Sequence, residues 1–173
     1  MSVHIKLYKL PDGPYVEREN GNGYLEDDWD NLFQIKDLHG HLSNAPLREG
    51  EADLEECLAP IGSQEVWACG VTYYSSRMAR ESESKAAGGG NFYTRIYAAE
   101  RPEIFFKATP SRVSGPGQQV RIRKDSTWDV PEPELTLVLS THGEIKKKSV
   151  SCIPAFNLPF MFLGATAVII VLI

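Results

Sequence analysis

The chain has little cysteine and lacks the short motifs that mark several common kinds of active site. Its three cysteines are odd in number and have no C-x-x-C spacing, which argues against a disulfide framework and a zinc site and indicates a reducing, cytoplasmic compartment. No G-x-G-x-x-G loop follows a predicted strand, and no G-x-S-x-G nucleophile elbow is present. The net charge of -5 disfavours nucleic acid as a partner. Dinucleotide binding, serine-hydrolase chemistry and nucleic-acid binding are therefore poor interpretations.

Charge is missing from the last 25 residues, and all 23 acidic residues lie at or before Glu144. The only basic residues after Glu144 are Lys146, Lys147 and Lys148. An acidic, polar body is thus joined to an apolar tail over residues 146–173. The tail predicts a short membrane anchor over 153–173 with a cytoplasmic basic flank, or a buried β-branched strand, or a sequence that arose from a frame change near Ile145.

Apolar periodicity predicts mostly strands. Residues 3–10 alternate apolar and polar and lead into a Pro-Asp-Gly turn, and EVWACGV (65–71) has the compact apolar character of a buried strand. Further strands are expected in EIFFKAT, VRIRK (120–124) and ELTLVL, with turns at Pro116-Gly117 and His142-Gly143. SSRMARESESKAA favours a helix, and Leu54 and Leu58 stand four residues apart in EADLEECLAPIG. The expected fold class is mainly β with some α (α+β).

Three segments are expected. Residues 1–62 form a small N-terminal module, 63–145 the first part of a catalytic domain, and 146–173 the basic and then hydrophobic tail.

The sharpest local pattern is Glu132-Pro133-Glu134. In a strand, side chains two positions apart share a face, so the two carboxylates can converge on a hard divalent cation such as Mg²⁺. The alternative is a solvated acidic edge whose prolines prevent further pairing. His39 and His41 have the same spacing and could bind a transition metal, but the glycine between them favours a surface turn.

Taken together, several motifs in order resemble the fumarylacetoacetate hydrolase family. From about Glu65 to Ile145 these are GVTY, RPEIFFKAT, SGPG and STWDVPEPEL, and the branch they resemble most is the 2-keto-3-deoxy-D-arabinonate dehydratases. The resemblance implies a partial fumarylacetoacetate-hydrolase-like β fold. It also implies that Glu132 and Glu134 match the family's Glu-x-Glu pair, which binds Mg²⁺, or Mn²⁺ or Ca²⁺ in its place, and a small-molecule 2-keto acid substrate.

The resemblance also implies the remaining site residues. Tyr74, Ser75, Ser76 and Arg77 of the GVTYYSSR segment are candidates to line the substrate pocket. Lys107 in FFKAT is a candidate partner for a carboxylate or an oxyanion.

Two departures from the family pattern shape the expected activity. No histidine lies between His41 and His142, which points away from carbon–carbon hydrolysis and toward dehydration. The family's third metal ligand follows a GEI-like turn, and here GEI is followed by a tail without Asp or Glu. The expectation is a metal-dependent 2-keto-3-deoxy sugar-acid dehydratase impaired by truncation.

Two alternatives stay open. One is an acylpyruvate or fumarylacetoacetate-type hydrolase. The other is a non-enzymatic module that is membrane-tethered or completed by a partner. A homo-oligomer is also expected, because relatives commonly form dimers or larger assemblies, and membrane contact is expected only if residues 153–173 insert.

Overall fold

The computed structural model describes residues 5–70, 78, 92–126, 130–155 and 167–172, with side chains within 5–69, 78, 95–126 and 135–146. The described strands form a three-stranded and a five-stranded sheet. In chain order the elements are β1 (Lys6–Leu10), β2 (Gly13–Glu17), β3 (Gly23–Tyr24), α1 (Trp29–Leu32), α2 (Leu38–Asn44), a 3₁₀ turn (Leu54–Glu56), β4 (Glu65–Gly70), α3 (Phe92–Tyr97), β5 (Glu103–Ala108), a 3₁₀ turn (Pro110–Arg112), β6 (Val130–Leu139), β7 (Ile145–Ala155) and β8 (Ala167–Leu172).

The three-stranded sheet is an antiparallel meander at the N-terminus. β1 pairs with β2 from Lys6 opposite Glu17 to Leu10 opposite Gly13. Gly13 has a φ of +128°, a conformation that side chains resist, so glycine suits this tight connection. The predicted strand is therefore confirmed over Lys6–Leu10, together with the turn after it, while residues 3 and 4 lie outside the described part of the chain.

α2 is where the predicted surface turn at His39-Gly40-His41 is wrong. The Asp37 carboxylate accepts a hydrogen bond from the Gly40 backbone N–H at 2.9 Å and so caps the helix start. At the other end, the Arg18 guanidinium donates to the carbonyls of Leu42 and Ala45 at 2.6 and 2.8 Å. These caps satisfy backbone groups that a short helix otherwise leaves unpaired.

The five-stranded sheet has the order β5-β4-β8-β6-β7. β4 is antiparallel to β5 and to β8, and β6 is antiparallel to β7 but parallel to β8. β8 consists of AVIIVL from the tail, so the structure agrees with the interpretation of this segment as a β-branched strand. Within the part of the chain that is described, no helix is long and apolar enough to cross a membrane.

One hydrophobic core joins the N-terminal module to the larger sheet. Leu32 and Val16, both with no exposed surface, pack in the same cluster as Val66 of β4 and Val138 of β6. Burial of this continuous cluster stabilises both parts at once. The domain boundary near residue 62 therefore stays a prediction. The hydrophobic core extends across it.

The predicted strand over residues 120–124 is wrong. The structure gives this segment no strand pairing, and Val120 and Ile122 are 45% and 54% exposed. A strand without a neighbouring strand leaves its backbone N–H and C=O groups unpaired. Alternation of apolar residues is therefore not enough to form a strand here. In contrast, Gln118 N–H donates to the Gly115 carbonyl at 3.1 Å and Gly117 has a φ of +72°, which confirms the type II turn.

Candidate functional site

The Glu-x-Glu pair lies in the first half of β6. The backbone of Glu132 is opposite Ile153 of β7, and that of Glu134 is opposite Ser151. The two glutamates therefore occupy alternate positions of one strand, as the sequence predicts. Their side chains are outside the described part of the structure.

The other strands show which end of the sheet this is. β8 begins beside β6 with Val168 opposite Leu135, the residue after Glu134. On its other side, β8 pairs Ala167 with Gly70, the last residue of β4. Gly70 and Glu134 therefore lie at similar heights along their strands. They are separated across the sheet by two strand spacings, which amounts to about 10 Å. Gly70, the residue before segment 71–77, therefore lies at the same end of the sheet as the glutamate pair.

The four residues predicted to line the substrate pocket belong to that segment. Ser75, Ser76 and Arg77, with Tyr74 beside them, lie outside the described residues. Their predicted role in substrate binding stays a prediction. The position of Gly70, the last described residue before this segment, is the structural information that bears on it.

Lys107 is not brought to the glutamate pair. It lies on the edge strand β5, at a bulge where the register shifts between Val66 and Trp67. Three strand spacings separate β5 from β6, which amounts to about 14 Å before any offset along the strands is added. Its predicted role as a carboxylate or oxyanion partner remains a prediction that this strand order does not favour.

The opposite end of the β6–β7 hairpin is fixed to the N-terminal module. Gly143 N–H donates to the Ser140 carbonyl at 2.9 Å and closes the predicted turn. The Thr141 hydroxyl donates to the Gln34 side chain at 2.8 Å. This anchorage fixes the direction of β6 and leaves the glutamate pair at the far end of the hairpin.

Lys146 completes the anchorage, and its position differs from the predicted basic flank of a membrane segment. Its side chain is only 6% exposed, and its ammonium donates to the carbonyls of Ile35 and Lys36 at 2.9 and 3.2 Å. It also pairs with the Glu144 carboxylate at 2.7 Å, and this hydrogen bond lowers the pKa of Glu144. The lysine is therefore an internal clamp between the hairpin and the turn after α1.

The donor chemistry at the glutamate pair fits a hard divalent cation, because such ions take carboxylate oxygens. The pair supplies only two carboxylate groups as ligands. Among the side chains that the structure describes, no group of three His, Cys, Asp or Glu residues is placed to hold a metal ion. Since Mg²⁺ demands near-octahedral coordination, two carboxylates leave most positions to water.

Cys69 of β4 is buried near the same end of the sheet, at 5% exposure. Burial raises the pKa of its thiol. The protonated thiol is a poor nucleophile at neutral pH. Cys69 is therefore a core residue in this arrangement.

Two surface clefts contain ionisable residues outside the glutamate pair. A depression of about 570 Å³ is lined by Arg101, Pro102 and Ile104 just before and within β5. A second of about 380 Å³ contains His41 and Asp27, whose side chains are 2.9 Å apart. The residues of the first cleft lie within 99–104, whereas those of the second come from two separate segments that only the fold brings together.

Comparison with curated proteins identifies relatives for half of the chain. It is 54% identical over 86 residues to a probable 2-keto-3-deoxyxylonate dehydratase of Haloferax volcanii. It is 48% identical over 88 residues to a 2-dehydro-3-deoxy-D-arabinonate dehydratase of Saccharolobus solfataricus. Each alignment covers 50% of this chain but only 28% and 29% of these relatives. The chain thus spans less than a third of either relative, and no family model matches it.

Solved structures are similar over most of the chain. 2-Keto-3-deoxy-D-arabinonate dehydratase complexed with magnesium and 2,5-dioxopentanoate matches with a TM-score of 0.56 and 27% identity, over 88% of this chain and 54% of that one. A hexagonal crystal form of 2-keto-3-deoxyarabinonate dehydratase matches with a TM-score of 0.58 at 27% identity, over 95% and 61%.

The fold is therefore mainly β with few helices and is similar to part of the fold of 2-keto-3-deoxy-D-arabinonate dehydratase. The chain is a partial homologue of the 2-keto-3-deoxy-arabinonate and -xylonate dehydratases. The resemblance that the motifs predicted is confirmed.

Proposed function

We propose that the chain carries part of a Mg²⁺-dependent 2-keto-3-deoxy sugar-acid dehydratase. The supporting observation is the strand register, in which Glu132 and Glu134 lie at the same end of the sheet as Gly70, the residue before segment 71–77. The relatives named above act on sugar acids, and one solved neighbour contains magnesium and a dioxo acid.

The proposed roles follow from the chemistry of dehydration. A proton leaves carbon 3 of the 2-keto acid, and a hydroxyl leaves further along the carbon chain as water. Glu132 and Glu134 would hold the cation, while Ser75, Ser76 and Arg77 would orient the substrate. The bound ion supplies Lewis-acid stabilisation of the negative charge that develops on the substrate.

We expect weak metal binding and slow turnover. Every Asp and Glu lies at or before Glu144, so the tail strands add no carboxylate to the pair. Two carboxylates satisfy only part of the coordination that Mg²⁺ requires, and Mn²⁺ and Ca²⁺ accept the same oxygen donors. Competition between these ions would show which one the pair prefers.

The test is product formation from 2-keto-3-deoxyarabinonate and 2-keto-3-deoxyxylonate with excess Mg²⁺. Slow, chelator-sensitive formation of a dioxo acid is expected, with loss in Glu132→Gln/Glu134→Gln. The matched control is Glu49→Gln/Glu51→Gln, which removes two exposed carboxylates at the same spacing. Absence of product at saturating Mg²⁺, or equal activity in both double variants, would contradict the proposal.

Two further experiments test the alternatives. Cleavage of an acylpyruvate substrate would report the hydrolase activity. Carbonate extraction of expressing cells reports the membrane-tethered alternative, because recovery in the soluble fraction would exclude it and agree with the predicted cytoplasmic location.

A further inference from the structure

Two Asn-Gly pairs follow one another in the connection between β2 and β3, as Asn20-Gly21 and Asn22-Gly23. In such a pair, the backbone nitrogen of the glycine can attack the side-chain carbonyl carbon of the asparagine, because glycine has no side chain to obstruct the approach. A nitrogen–carbon bond forms, ammonia leaves, and a cyclic succinimide remains. Water then opens the ring at either of its carbonyls, and the product is aspartate or isoaspartate.

The surroundings of Asn20 leave this reaction open. Asn20 and Gly21 are both exposed, and no described atom lies within 4 Å of the position that a Cβ on Gly21 would take. The Gly21 N–H donates to the Arg18 carbonyl at 3.2 Å, within an exposed turn. Such a bond opens at little cost, since water can replace the partner of an exposed backbone group. The Gly21 nitrogen is therefore accessible for attack, and the succinimide ring has room to form.

The surroundings of Asn22 oppose the same reaction. Its side-chain oxygen accepts a hydrogen bond from the Arg18 backbone N–H at 3.1 Å, which holds the amide group in place. Gly23 is buried, and a Cβ at this position would lie 2.7 Å from the Arg48 carbonyl oxygen. The backbone at Gly23 is therefore too closely packed to accommodate a ring.

The backbone nitrogen of Gly23 is also engaged in the three-stranded sheet. Gly23 is opposite Val16 of β2. Two residues further along the same pair of chain segments, the Leu25 N–H donates to the Pro14 carbonyl at 2.8 Å. Hydrogen-bonded pairs recur at every second position of an antiparallel ladder, which assigns the Gly23 N–H to the Val16 carbonyl. Attack by this nitrogen requires the ladder to open first.

We propose that Asn20 is a site of succinimide-mediated deamidation in the folded chain, that the fold protects Asn22, and that the isoaspartyl product weakens the cap on α2. Isoaspartate at position 20 adds one atom to the backbone of the turn that follows Arg18. The Arg18 guanidinium donates to the carbonyls of Leu42 and Ala45 at the end of α2. A lengthened turn shifts the backbone that positions this guanidinium.

Peptide mapping of the full chain by mass spectrometry, during incubation in mildly alkaline buffer, tests the site. Wild type should lose Asn20 at least about tenfold faster than Asn22, the ratio expected when the slower site must first open one or two hydrogen bonds. Asn20→Gln lengthens the side chain and disfavours ring closure, so it should stop the modification at position 20. Equal rates at the two asparagines of the folded chain would overturn the proposal.

The same incubation in urea separates the effect of the fold from the effect of the sequence. In the unfolded chain both pairs present the same reacting groups, so the two rates should become similar. Protection of Asn22 that persists in urea would overturn the role of the fold.

Thermal unfolding tests the effect on α2. The isoaspartyl form, isolated by chromatography, should melt at least about 2 °C below Asn20→Asp, which is the matched control because it carries the same charge without the added backbone atom. Equal melting temperatures would overturn the proposed weakening of the cap.

Discussion

Lys146 gives the most quantitative prediction, because its side chain is buried and all of its partners are described. Lys146→Met keeps the apolar stem, which packs in place, and removes the ammonium. The carbonyls of Ile35 and Lys36, now at 2.9 and 3.2 Å from the nitrogen, lose their donor. The substitution thus separates the hydrogen bonds from the packing.

Two opposing terms set the magnitude. Replacing a buried ammonium by a thioether relieves a desolvation cost, which favours the variant. Hydrogen bonds to charged groups contribute about 1.5–3 kcal/mol each, but water can partly replace the donor here, because the bond to Ile35 is part-buried and the bond to Lys36 is exposed. Since one bond is short and the other is longer, we expect a net loss of about 2 kcal/mol in the free energy of unfolding, or about 1 M in the urea midpoint.

Urea denaturation followed by circular dichroism measures this effect. Lys6→Met is the matched control, since Lys6 pairs with Glu17 at 3.0 Å but its side chain is 67% exposed. Exposed ion pairs contribute little to stability, so the control midpoint should hardly move. Equal midpoints for the two variants would refute the clamp.

Two further predictions concern contacts between the N-terminal module and residues that follow it in the sequence. Burial raises the pKa of Asp30, but hydrogen bonds from Ser63 and Gln64 outweigh this effect and leave its pKa lowered. Its stabilisation is therefore complete above the unfolded pKa and is lost as pH falls through the folded value. Asp30→Asn should cost about 1–2 kcal/mol at pH 7, with the difference from wild type shrinking in acid; a pH-independent difference in urea titrations would contradict this. Gly115→Ala should lower the melting temperature, because the new Cβ would lie 2.6 Å from the Cys57 carbonyl oxygen; an unchanged temperature would show that the loop has room.

Local patterns predicted β1, β4, β5 and β6, but they also predicted a strand over residues 120–124 that does not form. β1, β4 and β5 each contain a short apolar or alternating run with a turn or loop beside it, and these signals are complete within a few residues. β6 and its turn were also evident from ELTLVL and His142-Gly143. What these patterns could not show is which strands are neighbours, because the strand order depends on contacts distant in sequence.

The misjudged elements have identifiable physical causes. α2 contains a glycine and two histidines with little helix propensity, and its ends are stabilised by Asp37 and by the sequence-distant Arg18. The run Lys146-Lys147-Lys148 predicts a basic surface cluster, but the fold places two acceptor carbonyls beside Lys146. In both cases tertiary hydrogen bonds decide the outcome.

In the candidate site, too, the local features could be predicted from the sequence and the long-range features could not. The alternate spacing of Glu132 and Glu134 is a local property of a strand and could be predicted. The separation of Lys107 from the pair could not, because it follows from β8 lying between β4 and β6.

The central claim is that Glu132 and Glu134 form a divalent metal site, and a Mn²⁺ titration followed by electron paramagnetic resonance tests it most directly. The signal of free Mn²⁺ reports binding without any need for turnover, and added Mg²⁺ should displace the bound ion. We predict one weak site that is lost in Glu132→Gln/Glu134→Gln and kept in Glu49→Gln/Glu51→Gln. Equal Mn²⁺ binding by the two double variants would contradict the account.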